Sequence, residues 1–143
     1  MKATELMIGD WVGRVFDDKR IIEDYRQVDW IRTGEIGMRY QKVWAIGCIE
    51  PIPLTSEILE KNGWIQCKYE TCKSLYEYKG LHLRHTMIKR SNGRWVANVD
   101  GIVEKFPDEY THSYLRINVF YVHELQHALR LCGLNELADN FKI

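Results

Sequence analysis

Net charge is absent from this chain. Its 20 Lys and Arg residues balance 20 Asp and Glu residues, and its isoelectric point lies near 7.0. Nucleic-acid backbones are gripped by clustered positive charge, so nucleic acid is not the expected main partner, and only a local basic patch could reach it. Long hydrophobic runs are absent too. No stretch approaches the roughly 18 continuous apolar residues that a membrane span requires. The segment Met1-Lys2-Ala3-Thr4-Glu5-Leu6 meets Gly9 and Asp10 before the apolar core of a signal peptide can form. The expectation is a cytoplasmic protein without a membrane. Paired cysteines are missing as well. Cys48, Cys67, Cys72 and Cys132 are scattered, whereas a structural zinc site wants two close pairs of ligands. Four reduced, mostly buried thiols are expected instead. Internal repeats, a Gly-rich phosphate loop, a nucleophile elbow and a close Ser/His/Asp set are all lacking. No cofactor is implied.

What is present is a chain of 143 residues with 45% hydrophobic content, enough for one domain or two very small ones. The first fifty residues read as short strands. Trp11, Gly13 and Val15 alternate with Val12, Arg14 and Phe16, the period of a pleated ribbon. Asp17-Asp18-Lys19 and Thr33-Gly34-Glu35-Ile36-Gly37 supply turns, and Met38 to Ile46 is the longest strand candidate. Four or five strands in so short a span predict an SH3-like curled sheet over residues 1–50. Two prolines in Glu50-Pro51-Ile52-Pro53-Leu54 exclude a central strand and predict a stiff extended connector. A short helix follows, with Thr55 as N-cap, Leu54 stapled to Leu59, Glu57 in the first turn and Gly63 in the left-handed stop position. Strands return after Trp64, including a hairpin about Asn92-Gly93, with Trp95 to Asp100 on its return arm. Residues 120–132 read as a C-terminal helix closed by Gly133. The fold class expected is therefore α+β. It has an N-terminal SH3-like antiparallel sheet at 1–50, then a subdomain at 51–143 with a linker helix, a second antiparallel sheet and the last helix.

That last helix carries His123-Glu124-Leu125-Gln126-His127, which matches the zincin pattern. Residues four apart share a side, so His123 and His127 could ligate one metal while Glu124 acts as base toward bound water. Three features argue against it. Taking about 100° per residue from Val122, Leu125, Ala128, Leu129 and Cys132 fall between roughly 240° and 340°, and the histidines near 100° and 140°. The core-facing side and the histidine side differ, which predicts that both imidazoles look out to water. Arg130 lands beside them, a cation that disfavours a divalent ion. A third ligand is also missing, since only Glu136 and Asp139 follow as acidic candidates.

Other candidates are local. His82 and His85 stand three apart in a strand and face opposite sides. Arg84, Lys89, Arg90 and Arg94 form a basic cluster at the hairpin tip, able to touch phosphate but ordinary for a solvated turn. Trp11, Trp30, Tyr40 and Trp44 make the N-terminal ribbon aromatic. They read first as core, and second as a shallow groove for an extended peptide.

Ile49-Glu50-Pro51-Ile52-Pro53-Leu54-Thr55, Ile58-Leu59-Glu60-Lys61-Asn62-Gly63-Trp64 and Tyr121-Val122-His123-Glu124-Leu125-Gln126, with Leu129, Leu131 and Gly133, resemble a family of small uncharacterised proteins. These are abundant in gut Bacteroidetes genomes, often near phage or mobile-element genes. The resemblance implies phage or mobile-element origin and assigns no activity, cofactor or partner. It also implies Gln as a common residue where Glu124 stands, so that His123, Leu125 and Gln126 belong to a structural pattern. The expected function is a non-enzymatic protein-interaction module. The alternatives are a zinc-dependent hydrolase using His123, Glu124 and His127, and a weak nucleic-acid binder.

Overall fold

The computed structural model describes residue 2 and residues 5–15, 22–40, 42–66, 68, 75–78, 86–91, 94–106 and 109–143. Of residues 23, 75, 86–91, 94, 98–106 and 109–116 it describes the backbone alone. The architecture is α+β, with two five-stranded antiparallel sheets and short helices.

Strands β1 (Trp11–Val15), β2 (Ile22–Arg32), β3 (Glu35–Met38), β4 (Lys42–Ala45) and β5 (Ile49–Pro51) form the first sheet in the order β4-β3-β2-β1-β5. A 3-10 turn at Ile46–Cys48 delivers β5 to the free side of β1, where Gly13 pairs with Glu50 and Val12 with Pro51. Pro51 is thus tolerated in a strand because that strand is an edge. One face carries Val12, Val28, Ile36, Met38, Trp44 and Ile49, which pack with Leu6 into a core. The expected long strand from Met38 to Ile46 does not form. Tyr40 takes a left-handed φ of 74° and is 80% exposed, so the chain reverses there and Met38 pairs with Lys42. Alternation continues on paper across a turn whose residues are neither Gly nor Pro, which hid the break.

The second sheet is a meander of β6 (Trp64–Gln66), β7 (Leu75–Tyr78), β8 (Thr86–Ser91), β9 (Arg94–Phe106) and β10 (Glu109–Val119). Helix α1 (Ser56–Lys61) enters it as expected. The Thr55 side chain accepts from the Ile58 N–H, Leu54 and Leu59 are both buried, and Gly63 has φ 88°. Ser91 pairs with Arg94 on either side of Asn92 and Gly93, which themselves lie outside the described residues. Strand β9 runs on past Asp100 to Phe106 and pairs with β10 along its length, so the expected return arm is only half of the real one. The Asp17-Asp18-Lys19 turn lies outside the described residues.

Helix α2 (Val122–Leu131) is shorter than the expected 120–132, because Tyr121 is extended at φ −126° and Cys132 leaves the helical run. Gly133, at φ 73°, turns the chain so that the Leu134 N–H donates back to the Leu129 carbonyl at 2.8 Å, a Schellman-type ending. An unexpected helix α3 (Asn135–Asp139) follows. Leu125, Ala128 and Leu129 join Leu54, Leu59, Trp64, Trp95, Ala138 and Phe141 in the second core. The sides of Asn62 anchor the C-terminal tail, accepting from the Lys142 N–H and donating to its carbonyl, each at 2.7 Å. Among the described residues, no helix is long and apolar enough to cross a membrane. Cys48 is exposed and Cys132 half-buried, so neither is the deeply buried thiol expected.

Candidate functional site

The histidine side of α2 is covered. Gln126 is fully buried and His123 is 6% exposed, with His127 half-buried. This corrects the expected solvated face. The wheel separates two sides correctly, but the segment before β1 packs on the second one. Leu131 is the most exposed residue of the helix, at 78%, while Glu124, His127 and Arg130 are partly covered.

Asp10 is the centre of that contact, and its burial is complete. Its Oδ2 accepts from the Met7 N–H at 2.8 Å and meets His127 Nε2 at 2.7 Å; its Oδ1 accepts from Arg130 Nη1 at 2.6 Å. Arg130 also donates from Nη2 and Nε to Asp139 Oδ1 on α3, at 3.1 and 3.2 Å. Sequence reasoning took Arg130 as a bare cation beside the histidines, whereas two carboxylates balance it. Gln126 is the second fastener. Its Oε1 accepts from the Trp11 N–H at 3.0 Å, and its Nε2 donates to the carbonyls of Gly9 and Ala138 at 3.1 and 2.8 Å. Gln27 of β2 donates to the Asp139 carbonyl, and the Trp11 indole to that of Phe141. Most buried polar groups in folded proteins are partnered, and for Asp10 and Gln126 the partners lie across the joint between the two sheets.

Glu124 serves the helix. Its Oε2 accepts from the N–H groups of Phe120 and Tyr121 at 2.7 and 3.1 Å, two donors that the start of a helix leaves without intrahelical partners. An open cleft of about 420 Å³ lies above this cap, lined by Glu5, Pro51, Tyr121, His123, Glu124 and His127. The Tyr121 and His123 rings are nearly parallel, 11° apart with centroids at 5.9 Å, and His127 meets His123 edge-on at 5.7 Å. Burial lowers the His123 pKa, with Asp10, Glu124 and Glu5 opposing and His127 adding to the fall. Its ring is therefore neutral near pH 7, and among the described residues its buried Nδ1 has no hydrogen-bond partner.

The motif thus has the letters of a zinc site without its geometry. A carboxylate accepts, so His127 Nε2 carries the proton that faces Asp10 and offers no lone pair there. Glu124 points its Oε2 at backbone donors. Among the described residues, no three His, Cys, Asp or Glu side chains stand together in a way that could hold a metal. Asp139, a candidate third ligand from sequence, is bound to Arg130, and Glu136 is exposed on α3.

The other candidates are dispersed. Trp44 lies in the first core, while Trp11 packs against the second. Trp30 lies on the opposite face of the first sheet, over Gly37 and beneath the Arg32 guanidinium at 4.9 Å, and Tyr40 occupies its own turn. Lys89 and Arg90 are placed on β8 and Arg94 on β9, near one end of that hairpin. Arg84, His82 and His85 lie outside the described residues.

The residues that sequence reasoning missed are Asp10 and Glu5, while Gln126 was expected to be structural but without its partners across the joint. A trace of Asp10 and Gln126 was visible in β1, where both faces are apolar (Trp11 on one, Val12 on the other), the sign of a strand covered twice. No family model, no curated protein and no solved structure matches the chain.

Proposed function

We propose that the protein is a non-enzymatic, cytoplasmic protein-interaction module of phage or mobile-element origin, with residues 1–50 an SH3-like curled sheet. The five short antiparallel strands in the order β4-β3-β2-β1-β5, with a 3-10 turn ahead of β5, support the SH3-like reading. The observation that carries the functional reading is the use of the His-Glu-x-x-His residues. Glu124 caps α2, His127 is held by Asp10, and between them Gln126 fastens the two sheets. Groups spent on holding the molecule together are poor candidates for a hydrolytic centre, which needs an open ligand position and a base free to take a proton. The hydrogen-bonded joint leaves the cleft at Glu5, Tyr121 and His123 as the contact surface of this reading.

A photo-crosslinking residue at Lys2, beside the cleft, tests this in the host cell against one at Glu60 on the exposed side of α1. A discrete protein adduct from the first position and none from the second is expected. Stoichiometric zinc in the purified protein, lost in His123→Ala, would instead establish the metal-hydrolase reading.

A further inference from the structure

We propose that the outer edge of β10 pairs antiparallel with the same edge of a second copy of this chain, joining two second sheets into one. This surface is separate from the cleft and does not depend on what the cleft receives. The first argument is how the sheet edges are treated. An edge strand carries unpaired backbone groups, and proteins blunt such edges with short strands, proline or lysine. Three of the edge strands follow that pattern: β4 has four residues including Lys42, while β5 and β6 have three each, with Pro51 in β5. Strand β10 has eleven residues and contains no Pro, Gly or Lys. Apart from a register shift at Glu109 it pairs regularly with β9, and among the described residues no strand lies along its other side.

The register says which backbone groups that side presents. Ser91 and Arg94 close the β8–β9 hairpin, so Arg94 and every second residue after it turn their N–H and C=O toward β8. Trp95, Ala97 and Val99 therefore turn theirs toward β10, where they meet Val119, Ile117 and Leu115. The alternate residues His112, Tyr114, Arg116 and Asn118 face outward. The Phe120 carbonyl continues the series, accepting from the Leu54 N–H at 2.9 Å. The edge thus already takes a backbone partner at its last rung.

The second argument concerns the far end of the hairpin and selects the partner. Strand β8 accompanies β9 only from Arg94 to Val99. From Asp100 to Phe106, β9 has β10 as its one strand partner among the described residues, and a two-stranded ribbon alone is marginal in water. A second copy brings its own β10 and β9 and makes that ribbon four-stranded, which a short peptide does not. With 20 basic and 20 acidic residues per chain, no net charge holds two copies apart. The Ile52–Leu54 segment fills the outer side at Phe120 and Tyr121, so the copy must stop short of it. A two-fold axis at Ser113 satisfies this, setting Glu109 of one copy opposite Ile117 of the other and His112 opposite Tyr114.

The test is sedimentation equilibrium of the full-length protein from about 1 μM to about 1 mM. A reversible monomer–dimer equilibrium is expected. Tyr114→Pro removes an outward N–H and none that faces β9, and should weaken the dimer by roughly tenfold or more. Circular dichroism checks that this variant folds, and if it does not, a second set decides. His112→Lys with Tyr114→Lys, and His112→Glu with Tyr114→Glu, set like charges across the edge in each homodimer and opposite charges in a mixture. Both positions share a face with the exposed Asn118. Each charged variant should be monomeric alone, and their equimolar mixture dimeric. An unmodified chain that stays monomeric throughout, leaving the edge to another protein's strand or to water, overturns the proposal. So does a dimer that the folded proline variant or the charged variants leave intact, or a mixture that stays monomeric.

Discussion

Asp10 is the residue on which most of the joint's electrostatics converge. A carboxylate with no solvent exposure is tolerable only because a guanidinium, an imidazole and a backbone N–H all face it. Replacing it with alanine leaves Arg130 facing Asp139 alone and strips His127 of its orienting partner. Asp10→Ala should therefore lower unfolding free energy by about 3 kcal/mol, measured by urea denaturation, as breaking a buried pair does. A double-mutant cycle with Arg130→Met should show strong coupling, and additive effects would contradict the clamp. His123 sets a pH dependence of definite sign. Its folded pKa lies below the ordinary histidine value of 6.5 because the ring is buried, so the unfolded chain takes up a proton that the native state resists. The His123 contribution is fully present above about pH 6.5 and is lost as pH falls from there toward the folded value. The groups around it are Asp10, Glu124, Glu5 and His127. Thermal midpoints should drop between about pH 7.5 and pH 5.5, and the drop should shrink in His123→Phe.

At the scale of elements, α2 is a ten-residue helix with distinct devices at its two ends. Glu124 satisfies donors at the start, and Gly133 provides the left-handed exit. Glu124→Ala should cost about 1 kcal/mol, whereas Glu124→Gln should cost clearly less because an amide oxygen can still accept. Gly133→Ala should cost about 1 kcal/mol through backbone strain at φ 73°. Both are checked by equilibrium denaturation, and a Glu124→Gln variant as unstable as Glu124→Ala would show that charge, not the cap bond, matters. These endings were visible in the sequence because they are local: Thr55, Glu57 and Gly63 at α1, and Gly133 at α2, act within a turn of themselves. Strand limits were less visible. The reversal at Tyr40 uses a residue that rarely takes a positive φ, and the extension of β9 to Phe106 depends on a partner strand, β10, rather than on its own composition.

At the scale of the molecule, two apolar clusters meet at a polar seam. The first gathers Leu6 to Ile49 and the second Ile52 to Phe141, with Trp11 leaning from β1 onto the second. Gln126 carries bonds to both sides, so Gln126→Ala should leave the Trp11 N–H and the Gly9 and Ala138 carbonyls short of partners. The expected loss is about 2–4 kcal/mol. Hydrogen exchange should show β1 and β2 opening ahead of β9 and β10 in that variant, while the unmodified protein protects both sheets together. Uniform exchange in both would mean that the seam does not couple the sheets.

Periodicity and turn chemistry, read along the chain, were sufficient for the α+β class, the antiparallel strands, the capped α1 and the two distinct sides of α2, because each depends on residues within a few positions of one another. What lies against the second side of α2 was decided only by tertiary structure. The contacts of Asp10 with His127 and Arg130, and of Trp11 with Gln126, join residues more than one hundred positions apart. A helical wheel records which side chains share a direction and carries nothing about what approaches from that direction. That is why histidines expected in water became the wall of a buried joint.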